Sequence, residues 1–275
     1  MASPAAIGGG VLGAGAIGVG SAYLAGAFGG SISPEPARVL LSKDSKFAEV
    51  YTDVNWIGKN YGHYLVAPVG EKGTGAERTS NEAWWKWSYE RRQQDSQNTN
   101  ITLSDEFSKV GSKVSKAFSD SDTESDSSTA LNKVCEVVYK KNKDFLSYEG
   151  NSSDSKTKLK NDLWKYCSIL GEVKTIIEVG EKYDDNTRGK DDTNSKKFIA
   201  ITGNDKFWEI RNEEFYKNSG DKSRSKTTGT SSKFKTDSAD SKKLSIKDIC
   251  KEAYKSKTSE DASYPSSEIN IFCVL

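Results

Sequence analysis

The sequence predicts a mainly α-helical protein: an N-terminal transmembrane helix, then two small helical units, read as a duplication and joined by polar linkers. Three observations carry this. Leu131, Val134, Cys135, Val138 and Tyr139 fall at steps 0, 3, 4, 7 and 8, and Ile246, Ile249, Cys250, Ala253 and Tyr254 fall at the same steps. That spacing marks one apolar face of a helix. Two aromatic stretches lie upstream, Asn81 to Arg92 and Asn204 to Phe215, with Trp84 aligned to Phe207 and Trp85 to Trp208. Finally, no charged side chain precedes Glu35.

Residues 1–34 read as a Gly/Ala-rich membrane anchor. As a helix, the 26 residues of 5–30 rise about 39 Å, more than the roughly 30 Å of a hydrocarbon core. The absence of Lys and Arg before this span disfavours a cleaved signal peptide. Its ten glycines weaken helix propensity and leave a Gly-rich leader as the alternative. Residues 35–80 read as a connecting helix and loop, with an amphipathic helix over 37–51 and an extended piece from Tyr64 to Pro68. Residues 81–180 form helical unit 1, opened by Asn81 as an N-cap. Its insert, 95–129, is Ser-rich and holds seven acids and three lysines. Residues 181–197 read as a linker. Residues 198–275 form helical unit 2, with Asn204 as the matching cap. Its insert, 219–243, holds seven bases and three aspartates. Both inserts read as solvated linkers, too poor in apolar residues to offset ordering entropy.

The chain has 275 residues, 35% hydrophobic, with a formal net charge of +1. Cores of that composition are small and favour a covalent staple. The near-zero charge gives no field toward nucleic acid, so no nucleic-acid partner is expected. One histidine, His63, sits in a Gly-His-Tyr turn, which removes His-based triads and most metal centres. Gly70 to Gly75 lacks the order of a phosphate-binding loop. No catalytic, cofactor-binding or metal-ligating residue is assigned, and no cofactor is expected. The four cysteines read as structural disulfides, Cys135 with Cys167 and Cys250 with Cys273, closing each unit. Free buried thiols are the alternative. Zinc on all four thiolates would be unusual at this spacing. Trp84 and Trp87 are candidate contact aromatics, because Trp84, Trp85 and Trp87 cover more than one helix face. Core packing under an arginine stem is the other reading.

Layout and motifs together resemble the paralogous surface-protein families of haemotropic mycoplasmas. The residues that carry this are the 5–30 span, Trp85 and Trp208, Val134-Cys135, Trp164-Lys165-Tyr166-Cys167, Ile249-Cys250 and Phe272-Cys273. The resemblance implies an uncharacterised lineage-specific protein, without catalytic residues, serving antigenic display or host-cell contact. The expectation is a membrane-anchored surface protein. It would meet the lipid membrane through residues 5–30, with its body outside the cell and a host or surface protein as partner. The alternative is an intracellular structural or scaffold protein with free thiols.

Overall fold

The computed structural model describes residues 34–71, 79–108, 110–121, 123, 127–146 and 154–275. The candidate membrane span at 5–30 lies outside the described residues. Among those described, no helix is long and apolar enough to cross a membrane. The chain is mainly helical. In the first half, α1 (Phe47–Val50) and α2 (Ile57–Tyr61) are short, and α3 (Glu82–Gln97), α4 (Leu131–Tyr139) and α5 (Ser155–Cys167) are longer. The second half runs through α6 (Ile176–Val179), α7 (Asp192–Ser195), α8 (Asp205–Tyr216), α9 (Lys233–Thr236), α10 (Ile246–Lys255) and α11 (Ser266–Phe272). A two-residue pair, β1 (Gly70–Glu71) and β2 (Thr79–Ser80), is antiparallel, with Gly70 opposite Ser80.

The cysteine stretches form α4 and α10 as their periodicity predicts. Leu131, Cys135, Val138 and Tyr139 are buried on one face of α4, while Val137 on the other face is 63% exposed. Ile246, Ile249, Cys250, Ala253 and Tyr254 are buried on α10. Side-chain caps fix where several helices begin. Asp154 accepts from the N–H groups of Lys156 and Thr157 at the start of α5, and Ser245 accepts from Asp248 N–H at the start of α10. Each cap satisfies donors that the helix itself cannot. Gly180, at φ 69°, ends α6 in the left-handed conformation that glycine adopts without penalty.

Residues 37–51 do not form the amphipathic helix that their apolar pattern predicts. Ala67 N–H donates to the Val39 carbonyl at 3.0 Å, and Leu41 N–H donates to the Leu65 carbonyl at 2.8 Å. Leu40 pairs with Val66 in an antiparallel bridge. These distant partners hold Val39 and Leu40 extended, so tertiary pairing overrides local periodicity.

The two inserts are not free linkers either. In the described part of 95–129, Phe107 and Val114 are buried. The Arg92 guanidinium holds this segment down by donating to the carbonyls of Phe107 and Val114. In 219–243, Phe234 packs against Tyr264 and Phe272. The buried Glu268 carboxylate accepts from Thr228 N–H at 2.7 Å, Gly229 N–H at 3.2 Å and Ser232 Oγ at 2.5 Å. Average composition hides these anchors: one aromatic and one buried charged group fix a segment that is otherwise polar.

The first insert is also held by Ser104 N–H, which donates to Asp162 Oδ2 at 2.6 Å. Burial pushes the Asp162 carboxyl up to about 6, against the opposing pull of the Ser104 hydrogen bonds and Lys165. Between the unfolded value and about 6 the folded chain therefore binds more protons at this group than the unfolded chain. Stability from Asp162 is thus full at low pH and is lost as pH rises through about 6. Two pH units are worth roughly 3 kcal/mol. Between pH 4 and pH 7, denaturant unfolding should show the native chain losing about 2–3 kcal/mol more than Asp162→Asn. Equal pH slopes for the two proteins would refute this.

Candidate functional site

Each half is organised around one asparagine, one tryptophan, one tyrosine and one disulfide. Asn81 precedes α3 but does not cap it. Its side chain accepts from Val39 N–H at 2.7 Å and donates to the carbonyls of Val39 at 3.0 Å and Ala67 at 2.7 Å. Asn204 precedes α8 and also makes no cap. It accepts from Lys174 N–H at 2.8 Å and donates to Lys174 O at 2.9 Å and Ala200 O at 3.0 Å. Both asparagines clamp two extended segments together, a different use of the side chain from the capping that sequence position suggests. The same alanine carbonyls accept a second bond from the indoles, Trp85 Nε1 at 3.2 Å and Trp208 Nε1 at 2.9 Å.

The tyrosine one turn past the first cysteine closes the arrangement. The Tyr139 hydroxyl lies 2.9 Å from the carbonyls of Val66 and Cys167, and the Tyr254 hydroxyl lies 3.0 Å from those of Ile199 and Cys273. Burial raises both phenols well above the ordinary tyrosine range, so they stay protonated as donors. Disulfides join Cys135 to Cys167 and Cys250 to Cys273, with Cα atoms 5.8 and 5.7 Å apart. All four cysteines are fully buried. Gly58 and Gly189 correspond too: a Cβ would sit 2.5 Å from the Tyr51 ring in one case and 2.7 Å from the Tyr183 ring in the other. By these bonds the recurring arrangement spans 39–167 and 174–273. Residues 35–80 and 181–197, read from the sequence as connector and linker, supply parts of it. The spacing that sequence reasoning missed was there: Tyr51 and Tyr183 precede Gly58 and Gly189 by nearly the same step.

Trp84 and Trp87 are not the exposed contact residues that the sequence offers as candidates. Trp84 is fully buried and Trp87 is 5% exposed. α3 packs against both α4 and α5, so more than one of its faces lies inside. Trp84 Nε1 donates to Glu35 at 3.0 Å, and the Arg91 guanidinium covers the Trp87 ring at 4.5 Å.

At one matched position a neutral side chain in the first half is replaced by a charged one in the second. In the first, Ser88 Oγ donates to the Tyr166 carbonyl at 2.6 Å. In the second, the matching residue is Arg211, fully buried. Its Nη1 reaches the carbonyls of Ile271 at 3.0 Å, Phe272 at 3.2 Å and Val274 at 2.9 Å. Its Nη2 donates to the Tyr64 hydroxyl of the first half at 3.1 Å, and Tyr64 donates to Glu214 at 2.8 Å. Arg211 Nε lies 3.3 Å from the same Glu214 oxygen. A buried ion pair, Lys160 with Glu178 at 2.5 Å, also ties α5 to α6. Beside the Tyr64–Glu214 contact, a cleft of about 490 Å³ opens between the halves. Its walls include Tyr61 and His63 from one half and the loop 217–223 from the other. His63 is exposed, in the turn its sequence predicts. Among the described residues no group of three or more His, Cys, Asp or Glu side chains is placed to hold a metal ion.

Compared with known proteins, the chain matches no family model, no curated protein and no solved structure.

Proposed function

We propose that the chain is a membrane-anchored surface protein that acts by display or contact rather than by catalysis. Its body is two copies of one disulfide-closed helical unit. The observation that carries the reading is the pairing of all four cysteines, one disulfide within each half. Such bonds persist in oxidising surroundings outside the cytosol. The uncharged 5–30 span supplies the anchor in this reading. The recurring Asn clamp, Trp bond and Tyr bond support the duplication, because each meets the equivalent backbone carbonyl in both halves. Protease added to intact cells expressing the chain should remove the body while a cytosolic marker survives. Protection of the body until the cells are lysed would sink the proposal.

A further inference from the structure

The cleft between the halves has the volume of a small-ligand site, independent of the compartment in which the protein works. Its volume, about 490 Å³, lies within the range of small-molecule pockets. The lining is polar and aromatic: Asn60, Tyr61 and His63 face a loop that turns at Gly220, where φ is 126°. The loop is closed on itself by Ser223, whose Oγ donates to Lys217 O at 2.6 Å and whose N–H donates to Gly220 O at 3.2 Å. The N–H groups of Ser219, Gly220, Asp221 and Lys222 have no acceptor among the described residues. Ser219, Gly220 and Asp221 are exposed, so these N–H groups are open to solvent and to an anion entering the cleft.

The charges in the cleft are unevenly matched. Glu214 is already engaged by Tyr64 at 2.8 Å and by Arg211 at 3.3 Å. Asp221 is exposed and also lines the cleft. Lys222 lines the cleft, is only partly exposed and makes no hydrogen bond or ion pair among the described residues. Burial, and next the Arg211 guanidinium, push its ammonium down to about 8, against the opposing pull of the Glu214 and Asp221 carboxylates. An ammonium that makes no hydrogen bond or ion pair among the described residues, beside backbone N–H groups that have no acceptor there either, gains charge-assisted hydrogen bonds from an anion.

We propose that this cleft binds a small acidic ligand, its carboxylate or phosphate held by Lys222 and the 219–222 N–H groups and its remainder lying against Tyr61 and His63. Calorimetric titration of the full chain at pH 7 tests this with glucuronate, glucose 6-phosphate, inorganic phosphate and neutral glucose. At least one acidic probe should bind about tenfold or more tightly than glucose, and Lys222→Ala should weaken that probe by about tenfold or more. Preference for glucuronate would assign the site to a carboxylate. Preference for glucose 6-phosphate or inorganic phosphate would assign it to a phosphate, and either result supports the proposal. Lys222→Ala should keep the native melting temperature, since Lys222 makes no bond within the described residues. Acidic probes binding no better than glucose, or binding Lys222→Ala as tightly as the native chain, would overturn it.

Discussion

Replacing Arg211 with alanine should lower the unfolding free energy by about 3–5 kcal/mol, the range for removing one partner of a buried charged network. The side chain is fully buried, so solvent does not screen its loss. Its removal strands the carbonyls of Ile271, Phe272 and Val274, and among the described residues it leaves the Glu214 carboxylate with Tyr64 alone. The same change cuts the strut between the halves, because Arg211 is bonded to Tyr64 of the first half. Arg211→Lys should recover only part of the loss. A lysine ammonium keeps the charge but lacks the planar fork needed to reach both the α11 carbonyls and Tyr64. Denaturant unfolding of the three proteins checks the order native, Arg211→Lys, Arg211→Ala. A loss below about 1 kcal/mol for alanine, the scale of an ordinary hydrogen bond, would show that the network does not bear on stability.

Removing either disulfide by paired alanine substitution should cost about 3–4 kcal/mol by the chain-entropy model. The two bonds close 32 and 23 residues of sequence, and the logarithmic dependence on loop size makes their contributions nearly equal. For a chain of this size the loss corresponds to a fall of roughly 7–14 °C in melting temperature. The native structure around each bond also contributes. The carbonyl of the second cysteine accepts from a tyrosine hydroxyl and from a backbone N–H, Val66 in one half and Ile199 in the other. That ordering should survive in part, so each pair variant should fold at low temperature while melting earlier. Melting temperatures unchanged in both Cys135→Ala/Cys167→Ala and Cys250→Ala/Cys273→Ala would rule out a stapling role.

The parts of the fold legible in the sequence are those set by local periodicity. α4 and α10 follow from apolar steps of 3 and 4, and those steps place each cysteine on the inner face. Matching positions of the second cysteines favour one pairing within each unit over free thiols, and the structure has that pairing. The parts that were not legible depend on partners far along the chain. Val39 and Leu40 are extended because Ala67 and Leu65 bond to that backbone, which no local window records. Asn81 and Asn204 sit where N-caps sit, yet their amides serve segments 42 and 30 residues away. Trp84 and Trp87 looked divided between core and surface, but α3 is covered on several sides, by Glu35 and Arg91 among others. The cleft was illegible for the same reason. His63 and Lys222 are brought to one cavity by the Tyr64–Arg211–Glu214 contact, and neither residue belongs to a motif.

The central claim is that one arrangement, closed by its own disulfide, occurs in each half. Mass spectrometry of a non-reducing digest tests it most directly, with the chain unfolded without reductant in the presence of the thiol-blocking reagent, since all four cysteines are buried in the native fold. The account predicts linked peptides joining Cys135 to Cys167 and Cys250 to Cys273, with no blocked thiol. Peptides linking a cysteine of one half to a cysteine of the other, or four blocked thiols, would contradict it.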